Sequence, residues 1–289
     1  MSPDLIPADT TKNQTAVDST KKTQKVLEIG GAYDNTAIKP TATVDQLNFN
    51  GLDAFVKWKI DSQNVLSADG YFLQDGKTFS TDSTTFIGGA SVNYVYTPIK
   101  TPAYGLEFET KAYWNNNAQL QNPNQAANAF GLTTSVSGYR PFMTPWTQSG
   151  LKINFGAEER KGAKKIAYGY SITPFLRFNT ANVTISAGEG ILFKQTGLTY
   201  GTKGINMAFV PDAQPYMQTV IDAQLKFSED VSVSGNATVG INQQVFGVYL
   251  TTTVLDLVST IGAESVNMAT VNGQKITGLR FSYSAPVNW

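Results

Sequence analysis

The sequence predicts an all-β chain that folds as a single antiparallel up-and-down transmembrane β-barrel with a flexible N-terminal extension. Three observations lead to this prediction: long runs alternate apolar with polar residues, tight turns alternate with longer loops, and the chain ends on Trp289. About 12 strands (roughly 10 to 14) are expected from the length of chain that each strand of such a barrel uses. We assign residues 1–45 to the extension and residues 46–289 to the barrel.

The composition excludes several classes of function. Among the 289 residues, 22 Lys and Arg balance 22 Asp and Glu, so the formal net charge is zero. The chain as a whole therefore has no electrostatic attraction to nucleic acid or to anionic lipid. Cys and His are both absent, which excludes disulfides, the usual zinc sites and nucleophilic catalysis assisted by His. We therefore predict a protein that is not an enzyme, that needs no cofactor or metal, and that does not bind nucleic acid.

The N-terminal 45 residues differ from the rest of the chain. They are rich in Thr, Asp, Lys and Gln and contain few residues to bury, which predicts a flexible extension. Val26 to Ile29 is compatible with a short strand or with a segment that enters a lumen. Residues 1–4 lack the basic and apolar regions of a signal peptide. Two interpretations stay open: a processed exported protein, or a structural protein that is not exported.

From Leu47 onward, alternation with a period of two predicts β-strands. Residues 166–178 form the longest run, with Ile166, Tyr168, Tyr170 and Ile172 on one face. Most runs approach the roughly 9 to 11 residues that a tilted strand needs to cross a bilayer. The runs cover residues 52–60, 66–72, 90–97, 106–114, 132–137, 151–157, 166–178, 183–187, 221–227, 231–241 and 277–289.

The connections between the runs support a membrane barrel. Tight polar turns follow Ile60, Phe178 and Phe227, whereas longer segments cover residues 75–85, 115–128 and 194–216. Outer-membrane barrels commonly have short turns on the periplasmic side and long loops outside. The alternation of short and long connections therefore predicts that all tight turns lie at one end of the barrel.

Ionised residues fall on the polar face of the predicted strands. A Lys or Arg that faced lipid at mid-bilayer would cost about 2–4 kcal/mol, so we expect this face to line water. Glu189 departs from the pattern, because it continues the apolar face of Val183, Ile185 and Ala187; a bulge or a strand end would remove it from lipid. The predicted pore-lining residues are Asp53, Lys57, Lys59, Asp69, Asn93, Glu107, Glu109, Lys111, Lys152, Asn154, Arg177, Asp222, Lys226 and Arg280.

Bases outnumber acids slightly in this set, which predicts at most a weak preference for anions. Aromatic residues near the ends of the apolar runs are expected to lie at the two membrane interfaces. The predicted interface residues are Tyr94, Tyr96, Trp114, Tyr168 and Trp289.

The last segment carries a local signature. Gly278-Leu279-Arg280-Phe281-Ser282-Tyr283 places two alternating aromatics after a glycine, and Trp289 ends the chain. In this respect residues 46–289 resemble bacterial outer-membrane β-barrel proteins of the porin type, with no particular subfamily indicated. The resemblance implies a bacterial outer-membrane location, contact with membrane lipid, and passive diffusion of small hydrophilic solutes or ions through a channel. It leaves the oligomeric state open between monomer and trimer.

One alternative belongs to a different class. A viral capsid or coat β-barrel would also explain the lack of a signal peptide, an N-terminal arm, and strands rich in Asn and Thr. The two hypotheses make opposite predictions about solubility. A coat protein assembles in water, whereas a channel requires detergent or lipid.

Overall fold

A computed structural model describes residues 26–39, 47–75, 86–101, 103–116, 128–160, 166–193, 198–201, 204–207, 216–240, 243–254, 257–269 and 275–288. Within these ranges, no helix is long and apolar enough to cross a membrane. The strands are β1 (Val26–Lys39), β2 (Leu47–Lys59), β3 (Asn64–Asp75), β4 (Phe86–Lys100), β5 (Gly105–Asn115), β6 (Ala129–Phe142), β7 (Thr144–Arg160), β8 (Ala167–Asn179), β9 (Val183–Phe193), β10 (Leu198–Gly201), β11 (Gly204–Met207), β12 (Tyr216–Lys226), β13 (Val231–Gly240), β14 (Gln243–Val254), β15 (Leu257–Ala269) and β16 (Lys275–Asn288).

Fourteen of these strands form a closed antiparallel barrel, and β10 pairs with β11 in a separate two-stranded sheet. Strands adjacent in the chain pair with each other around the barrel, except that β9 pairs with β12 across the β10–β11 hairpin. The first strand closes the barrel against the last, from Val26 opposite Asn288 to Lys39 opposite Lys275. Closure leaves the barrel with no open sheet edge.

The strand number corrects the prediction of about 12. The structure has 14 barrel strands because β14 and β15 were not recognised in the sequence, and β1 was considered only as a possible short strand at residues 26–29 within the extension. β1 carries Gly31 and Asn35 on its outer face, so its apolar face is interrupted. β14 carries apolar residues on both faces, for example Val245 beside Phe246, and this blurs the period of two. Val26–Lys39 also lies inside the segment assigned to the extension, whereas residues 1–25 lie outside the described residues.

The two faces of the barrel wall differ in exposure and in chemistry. One face carries highly exposed apolar side chains, including Leu52 (65% exposed), Val248 (62%) and Ile261 (60%). The other face carries the buried polar side chains, including Gln148 (1% exposed) and Glu158 (2%). Side chains crowd together on the concave side of a closed barrel and spread apart on the convex side. The apolar face is therefore the outer face, and the polar face lines the interior.

The short connections lie together at one end of the barrel, which we call the turn end. They include residues 60–63, Met143, residues 180–182 and residues 227–230, and both termini of the barrel sheet lie at the same end. Longer connections, such as the one between Asn115 and Ala129, lie at the opposite end, which we call the loop end. This arrangement agrees with the predicted alternation, although the β13–β14 connection at the loop end is short.

The β2–β3 turn is organised by one exposed carboxylate, Asp61. The backbone N–H groups of Gln63 and Asn64 donate to its Oδ1 at 2.7 and 2.8 Å, and the Asn64 side-chain amide donates to Oδ2 at 2.8 Å. These donors, first the Gln63 N–H and then the Asn64 amide, lower the pKa of Asp61 below its ordinary value of 3.8.

Replacing Asp61 with alanine is expected to destabilise the barrel at neutral pH and to matter less in acid. Because the pKa is lower in the folded state, the charged carboxylate contributes stability above the unfolded pKa of 3.8. That contribution is lost as the pH falls through the folded-state pKa. Urea unfolding of wild type and Asp61→Ala at about pH 7 and at about pH 3 measures both differences. An equal difference at the two pH values would contradict this account.

Candidate functional site

The inner wall of the barrel is the candidate site. All the predicted pore-lining residues whose side chains are described lie on the inner face; the Arg280 side chain lies outside the described set, although its backbone pairs with Glu264. Their role in conduction stays a prediction. The inner-face residues are Asp53, Lys57, Lys59, Asp69, Asn93, Glu107, Glu109, Lys111, Lys152, Asn154, Arg177, Asp222 and Lys226.

A polar network crosses β3 to β6 on this wall. The Ser91 hydroxyl donates to Asp69, and the Lys111 ammonium lies 4.0 Å from the same carboxylate. In the next row, the Asn93 amide donates to Glu109 Oε1 at 2.9 Å. These contacts follow from the register, because Asp69 pairs with Ser91 and Asn93 pairs with Lys111. Lys111 therefore offsets the charge of Asp69, whereas Glu109 is stabilised by a hydrogen bond from a neutral amide.

Three inner carboxylates were missed in the sequence. Glu28 forms an ion pair with Lys57 at 3.3 Å. Glu158 accepts a hydrogen bond of 2.8 Å from the Tyr113 hydroxyl, and Glu264 accepts one from Tyr249. Glu28 and Glu264 lie in strands that were not recognised, but Glu158 continues the polar phase of Lys152 and Asn154 and was detectable. These groups offset the predicted excess of bases on the wall.

Inner aromatic rings lie over glycines of neighbouring strands. A Cβ built on Gly131 would lie 2.1 Å from the Tyr113 ring, and a Cβ on Gly105 would lie 2.0 Å from the Tyr139 ring. Gly131 and Tyr113 face each other in the β5–β6 register. Only glycine leaves room for a ring to lie flat against the backbone at this distance. The same arrangement pairs Phe55 with Gly30, Phe175 with Gly150, and Tyr249 with Gly262.

Arg177 lies between two of these rings. Its guanidinium carbon is 4.5 Å from the centroid of Tyr139 and 5.5 Å from the centroid of Phe175. Such distances place a cation within reach of the electron-rich ring faces. Gly150 pairs with Tyr139 on one side and with Phe175 on the other, and the Phe175 ring occupies the space above it, 2.2 Å from where a Cβ would lie.

Glu189 stays on the outer face, contrary to the expectation of a bulge or a strand end. The β9–β12 register is continuous from Val183 opposite Leu225 to Leu192 opposite Tyr216. Thr219 faces Glu189 in this register, and its hydroxyl donates to Glu189 Oε2 at 2.6 Å. The hydrogen bond supplies one polar partner to a carboxylate that would otherwise face outward alone.

The predicted interface aromatics lie near both ends of the outer face. Tyr94 and Tyr96 lie toward the turn end, where they pair with residues near the start of β3, and Trp114 and Tyr168 lie toward the loop end. Trp289 lies outside the described residues. Further exposed aromatics that were not predicted as interface residues lie at the turn end, namely Trp58, Tyr104 and Trp146.

The comparisons with known proteins identify the fold. No family model and no curated protein sequence matches the chain. A deltaS2S3 mutant of the monoaromatic hydrocarbon channel TodX superposes with a TM-score of 0.59 at 10% identity, covering 92% of this chain and 91% of that chain. The toluene transporter TodX of Pseudomonas putida gives 0.56 at 10% identity, with 92% and 90% covered. The toluene transporter TbuX of Ralstonia pickettii gives 0.54 at 8% identity, again with 92% and 90% covered.

The chain therefore has the fold of bacterial outer-membrane β-barrel channels. This confirms the coarser part of the predicted resemblance, the fold of an outer-membrane β-barrel, and at this level of identity the likeness shows the fold alone. It does not support the finer prediction of a porin-type channel for ions and general hydrophilic solutes, because the similar structures are described as hydrocarbon channels and toluene transporters.

Proposed function

We propose that this protein is an outer-membrane channel through which small solutes, among them aromatic compounds, cross by passive diffusion. The observation that carries the proposal is the opposite chemistry of the two wall faces around one closed barrel. The outer face is apolar and exposed at Leu52, Val248 and Ile261, whereas the inner face holds charged and hydrogen-bonding groups. Such a wall suits lipid outside and water inside.

The aromatic rings of the inner wall indicate which class of solute the channel would accept. Its rings are pressed over glycines, as at Tyr113 and Tyr139, so they cover the wall without extending across the lumen. Ring faces exposed to the lumen favour contact with flat aromatic molecules. The similar structures are a monoaromatic hydrocarbon channel and toluene transporters. The polar network between these rings additionally favours solutes that carry a polar group.

The outer face favours the membrane hypothesis over the capsid hypothesis. Soluble monomeric proteins rarely expose continuous apolar patches larger than a few hundred Å². Here, exposed apolar side chains occur on the outer face of nearly every strand from β1 to β9 and from β12 to β16, among them Phe72, Phe155 and Phe281. A chain that assembles in water would place such a band against a partner, whereas lipid covers it without one.

Reconstitution of the refolded barrel into planar bilayers tests the proposal. We expect discrete conductance steps, and we expect proteoliposomes to take up a small aromatic solute such as benzyl alcohol faster than empty liposomes do. Heat-modifiable migration on gels establishes in the same preparation that the barrel is folded. Folded protein that neither conducts nor accelerates uptake would overturn the proposal, as would a chain that remains soluble and forms particles without detergent.

A further inference from the structure

We propose that Arg177 and Lys152 form a carboxylate-binding subsite on the inner wall, which takes the anionic group of a small aromatic monocarboxylate. The proposal deepens the channel function above and rests on it for the route by which the ligand reaches the lumen. The subsite lies on β7 and β8 in the half of the barrel nearer the turn end. Its components are the two cations and the rings of Tyr139 on β6 and Phe175 on β8.

The register explains why these groups meet. Arg177 pairs with Gln148 at the turn end, and Phe175 is the next inner residue of β8. The guanidinium carbon reaches across β7 to a point 4.5 Å from the Tyr139 ring on β6. Lys152 is the inner residue of β7 that follows Gly150, roughly 7 Å farther along the strand. Both cations interact electrostatically with the Asp222 carboxylate of β12, which places them in one region of the inner wall, while the Phe175 ring fills the space above Gly150.

Neither cation forms a direct ion pair within the described part of the chain, and the single carboxylate Asp222 attracts both at longer range, so the group keeps one positive charge in excess. The described ion pairs of the inner wall involve Lys57 and Lys111, and no described carboxylate lies within 4.0 Å of Lys152 or Arg177. Arg177 Nε is buried and has no hydrogen-bond partner among the described residues. Contact with ring faces fixes the plane of the guanidinium but supplies no hydrogen-bond acceptor to its Nε–H.

A carboxylate matches this arrangement. The guanidinium fork binds a carboxylate through two parallel hydrogen bonds, and its fixed plane reduces the entropy lost on binding. A nearby ammonium adds attraction without a directional requirement. Phe175 and Tyr139 supply apolar surface beside the anion, which suits a ligand whose carboxylate is attached to an aromatic ring.

Asp222 limits the charge of the ligand. Ser186 pairs with Arg177 on one side and with Asp222 on the other, and all three residues face inward. Two strand spacings place the Asp222 backbone roughly 10 Å from that of Arg177. A second anionic group on the ligand would be repelled by this carboxylate. The subsite therefore favours a monocarboxylate over a dicarboxylate.

The test measures binding of benzoate to the purified, folded barrel in detergent by titration calorimetry, with uncharged benzamide and the dianion phthalate as comparison ligands. We expect benzoate to bind more tightly than either. Arg177→Gln is expected to weaken benzoate binding at least tenfold, since the variant loses the charged, two-pronged hydrogen-bonded contact with the carboxylate. Arg177→Lys keeps the charge but loses the planar guanidinium, so its affinity for benzoate should lie between those of wild type and Arg177→Gln. Lys152→Gln should weaken benzoate binding several-fold.

Arg140→Gln is the matched control, because Arg140 follows Tyr139 on β6 and lies on the opposite face, where it pairs with Ser149. The Arg140→Gln variant should bind benzoate with the same affinity as wild type. Unchanged affinity in both Arg177→Gln and Lys152→Gln, or equal affinity for benzamide, would overturn the subsite. The assay does not depend on conduction. A barrel that conducts but binds benzoate independently of Arg177 refutes the subsite alone, and one that binds through Arg177 but never conducts refutes the channel alone.

Discussion

Replacing Val248 with lysine is expected to lower the free energy of unfolding of the barrel in lipid by about 2–4 kcal/mol. Val248 is 62% exposed on the outer face near the middle of β14, and it pairs with Gly235 of β13. In a membrane this position faces hydrocarbon, where an ammonium group has neither water nor a counter-charge. The measurement is urea unfolding in lipid vesicles, followed by tryptophan fluorescence.

Ser234→Lys is the matched control for this substitution. Ser234 precedes Gly235 on β13, so it lies at the same height in the wall, but it faces inward opposite Tyr249. Lysine there is expected to change the free energy of unfolding by less than about 1 kcal/mol, because the charge remains in contact with water. Equal losses in the two variants would show that the outer face does not contact lipid.

Replacing Gly131 with alanine is the second substitution with a large expected effect. The new Cβ would lie 2.1 Å from the Tyr113 ring, so the ring must move away from the wall. Movement of the ring breaks the hydrogen bond that Tyr113 donates to Glu158, whose side chain is only 2% exposed. Overpacking costs about 1–3 kcal/mol, and weakened hydrogen bonding of a buried carboxylate adds about 1–3 kcal/mol.

The same strand offers a matched control. A Cβ on Gly138 of β6 would lie 3.5 Å from the Gly105 carbonyl oxygen, an ordinary contact distance. Gly138→Ala should therefore leave the free energy of unfolding within about 0.5 kcal/mol of wild type or raise it. If both alanine variants unfold at the wild-type denaturant concentration, the position of the Tyr113 ring does not depend on the absence of a side chain at Gly131. Combining Gly131→Ala with Tyr113→Ala should recover part of the loss that overpacking causes.

The sequence predicted the barrel correctly where an apolar outer face and a polar inner face impose a strict period of two. β8 is the clearest case, because its outer face runs without interruption from Tyr168 through Ile172 to Phe178. Recognition failed where a strand departs from that rule for reasons that depend on its neighbours. Gly30 in β1 makes room for the Phe55 ring of β2. The sequence of β1 alone does not contain this neighbour, so it indicates only a weak strand.

The inner wall shows the same limit. The alternation placed Lys152 and Arg177 on the inner face, and the structure agrees. The alternation within single strands could not show that Arg177 contacts Tyr139, because that contact depends on the register between β6, β7 and β8. A shift of one residue in either pairing would reverse the faces. Contacts between strands distant in sequence therefore have to be read from the structure.

The pairing of β1 with β16 has a consequence for the kinetics of folding. Val26 and Asn288 belong to the first and last described strands, so their contact has nearly the largest sequence separation that the chain allows. Contacts of this kind form slowly. Until β1 meets β16, the sheet has two long unsatisfied edges that can pair with other molecules. The lifetime of this open sheet, rather than the stability of the finished barrel, is therefore expected to limit the yield of folded protein.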